Sequence, residues 1–487
     1  MSRFQASIGL EVHAELQTQS KMFCACPVVD SNSAKPNSAV CEVCTGMPGT
    51  LPVINQRAVE FAVRVALALD CTIAATSLFA RKNYFYPDLP KGYQISQYEF
   101  PVAQAGRLVI PLDDSQKTVR IRRVHLEEDT GKLVHQAGAS LIDYNRSGVP
   151  LLEIVTEPDL ESVEEVREYA GALRRLLRYL EVNSGDMEKG VIRFEANISV
   201  RPPQRSTLGT RTEVKNLNSF RSMLRAITYE IDRQSSLLTS GQAVPQQTLG
   251  WDERNGVTLP QRGKEEAHDY RYFPEPDLPP LVLDPAWIDQ VRQSLPELPP
   301  ARLERFQQTY GLSLSQARLL TEERASADYF ETACSASPGV PPSEVANWIS
   351  GELFSLLNED SLSIEACPLP APTLAAVLGL HQAGRINLPT AKQLLAEVFR
   401  HGGDPAQLVE QRGLAQLSDP RAIDRLVLEV EQAHPEQISH YLEGKKGIEH
   451  WLFGQVMRAA SGTADPHLVQ QRLRHRLAEL EKNRPPL

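Results

Sequence analysis

The sequence predicts an α+β fold for the first 294 residues and an all-helical fold for the remainder. Runs that alternate apolar and polar residues, as at 8–16 and 192–201, are typical of strands and lie among helix-like runs. Beyond residue 300, Leu and Ala recur at helical spacing without any strand pattern. A chain of 487 residues is also too long for one core. We therefore expect three domains, 1–294, 295–403 and 404–487, separated by the Pro-rich stretch 295–300 and the linker 401–405.

Composition narrows the class of protein. Apolar residues make up 41% and charged residues 23% of the chain, and no apolar run approaches a membrane span. The first strand begins too early for a signal peptide, so we expect a cytoplasmic protein without membrane contact. The net charge of -10 would repel a polyanion, whereas residues 451–487 carry six basic and three acidic side chains. Any nucleic-acid contact is expected in this C-terminal segment.

The run 8–16 reads as a strand with two different faces. Its even positions are apolar, so Glu11, His13 and Glu15 share the opposite face. Such a face suits a metal ion. A solvent-facing edge with three ordinary polar residues is the alternative.

Four of the seven cysteines are grouped as two clips, Cys24 with Cys26 and Cys41 with Cys44, on either side of a polar loop. A loop so poor in apolar residues cannot bury a core, and four thiolates on Zn²⁺ would supply the missing order. We predict a structural zinc site over 24–44, with a coincidental grouping as the alternative. The three other cysteines receive no role.

Helical periodicity predicts helices over 55–69, 161–180 and 219–241, and Ser162 with Glu165 forms a capping box in the second. A last helix begins at Pro466 behind an Asp465 cap. Between the first two helices, residues 81–98 are dense in aromatic, amide and basic side chains. This segment suits a polar ligand, although an irregular surface connection would have the same composition.

Several carboxylates stand in unusual places. Glu127, Glu128 and Asp129 are adjacent at an expected turn, where their charges repel unless a cation holds them. Glu153 lies in the middle of an apolar run that reads as a buried strand. A buried unpaired carboxylate costs several kcal/mol, so Glu153 needs a cation, a proton or several hydrogen bonds. A metal ion and an arginine both meet that need.

A second polar strand face and a nearby helix start suit phosphate. Arg193, Glu195 and Asn197 alternate with apolar residues, and Lys215 comes shortly before the helix at 219–241. No Gly-x-x-x-x-Gly-Lys-Ser/Thr loop exists in the sequence, since the nearest candidate at 256–264 has the wrong spacing. Any use of ATP must therefore rely on a phosphate-binding element other than a P-loop.

Six motifs, in the same order, closely resemble the B-subunit family of bacterial tRNA-dependent amidotransferases. They are IGLEVH at 8–13, KNYFYPD at 82–88, HLEED at 125–129, PLLEIV at 150–155, KNLNSF at 215–220 and DYRYFPEPD at 269–277. The resemblance spans essentially the whole chain, including its helical tail. It implies a cradle-like catalytic domain over 1–294 and a tRNA-binding tail over 404–487.

The resemblance also implies the chemistry. Such a subunit uses ATP to phosphorylate the side-chain carboxylate of Glu or Asp on misacylated Glu-tRNA(Gln) or Asp-tRNA(Asn), and ammonia then displaces phosphate. By matching position, Glu11, His13, Glu128 and Glu153 would hold Mg²⁺, or Mn²⁺ because of the imidazole. Arg193, Glu195, Asn197 and Lys215 are candidates for the nucleotide, and Arg472, Arg474 and Arg476 for tRNA. Ammonia would come from an amidase A subunit in a heterotrimer with a small C subunit, and a non-discriminating aminoacyl-tRNA synthetase is a further candidate partner.

Two alternatives to a B subunit are an archaeal E subunit and an RNA-binding adaptor. The related archaeal E subunit carries a large inserted domain that this chain lacks, which favours the B subunit. A non-catalytic zinc-bearing RNA-binding adaptor would need the cysteines and the basic tail but not Glu11, His13, Glu128 and Glu153. Many relatives lack the four cysteines, so zinc is not expected to take part in the reaction.

Overall fold

The computed structural model describes residues 4–112, 115–261 and 270–482, and it divides into two units. The first unit spans Met1–Pro299 and the second Pro300–Leu487. The break lies close to the boundary expected at 294/295. The boundary expected at 403/404 remains a prediction, although the second unit contains two separate hydrophobic clusters.

The described residues form sixteen strands, all in the first unit. In chain order they are β1 Gln5–Glu15, β2 Thr72–Ile73, β3 Thr76–Ser77, β4 Ala80–Asn83, β5 Tyr93–Ser96, β6 Ala103–Leu112, β7 Ser115–Glu128, β8 Lys132–Gln136, β9 Ala139–Asp143, β10 Pro150–Thr156, β11 Ile192–Arg201, β12 Thr212–Leu217, β13 Gln247–Asp252, β14 Val257–Pro260, β15 Phe273–Pro274 and β16 Leu281–Val282. Nine of them build one sheet in the order β14-β13-β12-β11-β1-β10-β7-β6-β2. Every neighbouring pair in it is antiparallel except β12 and β13.

Among the described residues, four helices accompany this sheet: α1 Gln56–Ala68, α2 Val163–Tyr179, α3 Phe220–Thr239 and α4 Pro285–Gln293. They share one hydrophobic core with the even positions of β1, which confirms the two faces expected for 8–16. Asn55, Ser162 and Ser219 cap α1, α2 and α3 through their side chains. The capping box on α2 is only half formed, because Glu165 accepts from the backbone N–H of Glu161 instead of Ser162.

The other strands of the described part of the first unit form three smaller sheets. They are β15-β4-β5, β16-β3 and the hairpin β8-β9. The sheet β15-β4-β5 contacts the long strand β7 through β5. This places the segment 81–98 beside the face of the large sheet that the helices leave uncovered.

The described part of the second unit contains helices and no strand, as the sequence predicts. The helices are α5 Pro299–Tyr310, α6 Leu314–Leu320, α7 Arg324–Ala336, α8 Pro342–Trp348, α9 Phe354–Glu359, α10 Ala371–Gln382, α11 Leu388–His401, α12 Pro405–Gln411, α13 Pro420–Ala433, α14 Pro435–Leu442, α15 Ile448–Ala459 and α16 Pro466–Lys482. A π-helical turn, Ile349–Leu353, joins α8 to α9, and the 3-10 helix Ile364–Ala366 precedes α10. Asp465 caps α16 as expected, and Val469, Leu473 and Leu477 of this helix are buried. None of the described helices is both long and apolar enough to cross a membrane.

Candidate active site and metal centres

A row of polar side chains crosses four neighbouring strands on the face of the large sheet opposite the helices. His13 on β1 stands opposite Glu153 on β10 and Arg193 on β11, and Glu153 stands opposite His125 on β7. Directly opposed residues on antiparallel strands project to the same face. The alternation within each strand therefore buries the core on one face and collects ionisable groups on the other.

Glu153 lies at the centre of this row and is 5% exposed. Its carboxylate lies 3.1 Å from His125 Nε2, 3.6 Å from His13 Nε2 and 3.8 Å from Arg123 Nη2. Burial alone would raise the pKa of Glu153, but the charge and hydrogen bonds of the two histidines hold it well below its usual range. Glu153 is thus a buried anion that two imidazoles and an arginine surround.

His13, Glu127 and Glu153 form a group suited to a divalent cation. One ligand atom from each lies within 4.8 Å of the others. Burial lowers the pKa of His13, yet the hydrogen bond and charge of Glu153 outweigh it and raise that pKa to about 9. The two carboxylates therefore favour a positive charge beside them. Two carboxylates and one imidazole fit Mg²⁺ or, because of the nitrogen ligand, Mn²⁺.

Glu128 does not join this group. It points away from Glu127 because the two residues alternate at the end of β7, and it forms an ion pair with Lys91. Its Oε1 also accepts from the backbone N–H of Ile95 at 2.9 Å. The structure therefore brings together only part of the predicted set, with Glu127 at the position expected for Glu128.

Glu11 lies one step along β1 in a second acidic group with Glu195 and Glu213. Ligand atoms of the three residues lie within 4.8 Å of one another. Burial and the charges of Glu153, Glu195 and Glu213 raise the pKa of Glu11. Lys215 Nζ lies 2.8 Å from Glu195 and 3.1 Å from Glu213. The group thus combines three carboxylates with one cation.

The four candidates for the nucleotide all lie on or beside this polar face, and each has a protein partner. Arg193 donates to Asp129 at 2.8 Å and Asn197 donates to Glu11 at 2.9 Å, while Lys215 and Glu195 pair with each other. The pKa of Asp129 falls to about 2 because Arg193 and Arg146 outweigh its burial. A nucleotide phosphate would have to share or replace these partners.

The sets of site residues expected from the sequence left out His125, Glu127, Lys82 and Tyr272, although Glu127 belongs to the acidic run 127–129 noted there. Ser96 Oγ donates to Glu127 Oε2 at 3.2 Å, so β5 reaches the cation group directly. Burial lowers the pKa of Lys82, but Glu127, Tyr272 and Glu153 outweigh it and raise that pKa. Tyr272 stacks on Tyr98 with ring centroids 4.4 Å apart. The polar and aromatic density of 81–98 was the available signal for a ligand-binding role.

The four cysteines converge as their spacing predicts. Their sulfurs lie within 4.8 Å of one another, and those of Cys41 and Cys44 are 3.9 Å apart. Tetrahedral zinc with Zn–S bonds of about 2.3 Å has sulfur–sulfur edges of about 3.8 Å, so the arrangement fits zinc. A hydrogen bond from Cys24 lowers the pKa of Cys44 to about 4, which favours a thiolate.

The three tail arginines lie on α16 and all pair with carboxylates of the same unit. Arg472 Nε is 2.6 Å from Asp424 Oδ1, Arg474 Nε is 2.6 Å from Glu449 Oε1, and Arg476 Nε is 2.8 Å from Glu431 Oε2. Arg474 is the most exposed, with 60% of its side chain accessible. Their positive charge is therefore partly compensated within the tail.

Comparison with known proteins shows the family of this chain. Residues 6–289 match the family model described as the GatB/GatE catalytic domain, and residues 328–477 match the GatB domain. The chain is 50% identical to the B subunit of the aspartyl/glutamyl-tRNA(Asn/Gln) amidotransferase of Moorella thermoacetica, over 97% of this chain and 100% of that protein. The corresponding protein of Myxococcus xanthus is also 50% identical, over 98% of this chain and 100% of that protein. The chain therefore belongs to the GatB/GatE family.

Proposed function

We propose that this chain uses ATP to phosphorylate the side-chain carboxylate of Glu or Asp on misacylated Glu-tRNA(Gln), Asp-tRNA(Asn) or both. The names of its relatives support an amidotransferase reaction with these tRNAs. The observation that carries the proposal is the group formed by half-buried His13 with the buried Glu127 and Glu153 on the polar face of the sheet. A protein that only bound RNA would have no use for anions buried among imidazoles.

The reaction needs activation because a carboxylate is a poor acyl donor. A carboxylate oxygen of the substrate attacks the γ-phosphorus of ATP, and ADP leaves. Ammonia then attacks the carbonyl carbon of the acyl phosphate, inorganic phosphate leaves, and the nitrogen loses a proton as the amide forms. The products are Gln-tRNA(Gln) and Asn-tRNA(Asn).

The residues of the polar face have distinct roles in this scheme. His13, Glu127 and Glu153 would hold Mg²⁺ or Mn²⁺, which when bound neutralises charge on the transferred phosphoryl group. Lys82 lies near the same carboxylates and is suited to hold an anionic oxygen of the substrate or the phosphoryl group. Glu11, Glu195, Asn197 and Lys215 would position the nucleotide, and Arg193 would order this face through Asp129.

The reaction requires partners. The relatives are named as B subunits, so we propose a heterotrimer in which an amidase A subunit releases ammonia from glutamine and a small C subunit stabilises the complex. A non-discriminating aminoacyl-tRNA synthetase would supply the misacylated tRNA in the cytoplasm. The tail 404–487 would hold the tRNA, with Arg472, Arg474 and Arg476 contributing positive charge. Cys24, Cys26, Cys41 and Cys44 would bind one structural Zn²⁺.

The second candidate function is a zinc-bearing RNA-binding adaptor without catalysis. The cysteine group and the basic tail are as compatible with such an adaptor as they are with the enzyme. It leaves the ionisable row on β7, β10, β1 and β11 without a purpose, so the enzyme is the better explanation.

Substitution of Glu153 by Gln tests the proposed function. The variant keeps the side-chain shape but removes the charge, so it should bind tRNA normally and lose ATP hydrolysis that depends on misacylated tRNA. Glutamine breakdown by the amidase should survive in part. If Glu153 only pairs with His125 and Arg123 as a structural anion, the variant will instead melt at lower temperature without selective loss of ATP use. A folded variant with full ATP hydrolysis would reject the proposal.

A further inference from the structure

Lys21 is a buried lysine that the proposed reaction does not use. It lies between β1 and Cys24 and is 0% exposed. Its Nζ donates to the backbone carbonyl of Tyr144 at 3.1 Å and lies 3.5 Å from Cys44 Sγ. Within the described part of the chain, it forms no ion pair with a carboxylate.

A buried ammonium group needs an anion, because removing its charge from water costs several kcal/mol. The carbonyl of Tyr144 supplies a dipole but no charge. The sulfurs of the cysteine group are the candidates, since four thiolates on one Zn²⁺ leave a net negative charge on the site. The positive charge of the buried lysine and the net negative charge of a metal–thiolate group would therefore stabilise each other.

The same lysine lies where the zinc loop joins the segment 143–148. The backbone N–H of Met22 donates to the carbonyl of Gly148 at 2.7 Å, and Ser147 Oγ donates to the carbonyl of Cys44 at 3.1 Å. Farther along the loop, the N–H of Ala39 donates to Asn145 Oδ1 at 2.8 Å. The segment 143–148 leads at once into β10, which carries Glu153.

Gly148 lies beside both Lys21 and Cys44. Its φ of +84° favours glycine, and a Cβ there would lie 3.5 Å from both Lys21 Cδ and Cys44 Cβ. The stem of Lys21 thus lies beside the turn that precedes β10, while its ammonium group lies 3.5 Å from Cys44 Sγ.

We propose that Lys21 is a positioning residue for the zinc site, which offsets the negative charge of the metal–thiolate group and ties it to the turn that precedes β10. This inference rests on the zinc site proposed above. Outer partners of metal ligands are worth about 10–100-fold in metal affinity when they are removed. Loss of the Lys21 ammonium group should therefore weaken zinc binding and loosen the segment 143–148.

The test compares Lys21→Met with the wild-type chain and with Lys35→Met as a matched control. Methionine keeps the long apolar stem and removes the charge and the donor. Lys35 lies in the same loop but is exposed. We expect Lys21→Met to lose about 10–100-fold in zinc affinity in a chelator competition, while Lys35→Met behaves as wild type. Hydrogen exchange of the segment 143–148 in the zinc-loaded chains should be faster in Lys21→Met only.

The outcomes separate the two proposals. A wild-type chain that contains no zinc and does not take it up would reject the zinc site itself. A wild-type chain that binds zinc, with an equal affinity in Lys21→Met, would overturn the role of Lys21. If Lys21→Met is insoluble, Lys21→Gln, which keeps a donor but lacks the charge, decides in its place by the same competition. Unchanged cobalt absorption spectra and equal affinity in that variant would likewise overturn the role.

Discussion

At the scale of single residues, the alternation of a strand decides which carboxylates meet. β7 continues through Glu128, so Glu127 and Glu128 project to opposite faces. The sequence suggested a turn over 127–129, and a turn defines no faces, so it could not separate adjacent carboxylates. Glu127 lies 3.8 Å from His13 and within 4.8 Å of Glu153, whereas Glu128 pairs with Lys91.

This geometry predicts different defects for two neighbouring substitutions. Glu127→Gln should abolish ATP hydrolysis that depends on misacylated tRNA and change the melting temperature little. Glu128→Gln should weaken its ion pair with Lys91, in which both side chains are mostly buried, and losses of this kind reach about 3–5 kcal/mol. The Glu128→Gln protein that does fold should still hydrolyse ATP in the presence of misacylated tRNA. ATP assays beside thermal melts compare the two variants, and an inactive but fully stable Glu128→Gln beside an active Glu127→Gln would return the metal ligand to Glu128.

At the scale of elements, local periodicity predicts what local residues determine. The alternation or the helical spacing of apolar residues correctly predicts β1, β10, β11, α1, α2 and α3. The apolar residues within each of these segments determine which face of the element is buried. The neighbours of each strand were not predictable in this way. The sheet β15-β4-β5 depends on contacts such as that of Arg81 with Glu275, which are 194 residues apart in the chain. The position of Lys82 over the site follows from that pairing and was therefore missed.

The helical unit offers a test of an electrostatic contact between elements. Glu331 on α7 receives hydrogen bonds from Arg305 at 2.6 Å and from Arg302, both on α5. Burial raises the pKa of Glu331, but the two arginines outweigh it and lower that pKa below 4.5. The unfolded chain thus binds a proton more readily than the folded one, so the contact stabilises above pH 4.5 and is lost as the pH falls through the folded pKa.

Glu331→Gln should therefore melt at lower temperature than wild type at neutral pH, and the difference should shrink in acid. Glu304→Gln, an exposed position on α5, is the control and should follow the wild-type curve. Thermal melts of the full chain over a pH series measure the difference. A gap between Glu331→Gln and wild type that stays constant into acid would show that the charge of Glu331 contributes nothing.

At the scale of the whole molecule, an acidic chain has to bind a polyanion. The net charge of -10 contributes repulsion at long range, and a local basic surface has to overcome it. The sequence pointed to the tail for this surface. It could not show that Asp424, Glu431 and Glu449, which are distant in the chain from α16, compensate the arginines in space.

Because each tail arginine pairs with a carboxylate, the arginines and the carboxylates can be replaced separately, and the two changes should affect tRNA binding in opposite directions. Replacing Arg472, Arg474 and Arg476 by Ala should weaken binding and flatten its salt dependence, because each lost phosphate contact lowers the salt slope by up to about 0.9. The reciprocal variant, Asp424→Asn with Glu431→Gln and Glu449→Gln, keeps the arginines and removes their partners. It should strengthen binding, since the freed guanidinium groups can turn to phosphate. Both variants lose the same three ion pairs, so a purely structural effect would weaken binding in both. Filter binding of misacylated tRNA across a salt titration measures the two directions, and unchanged binding in the triple Ala variant would show that these arginines do not contact tRNA.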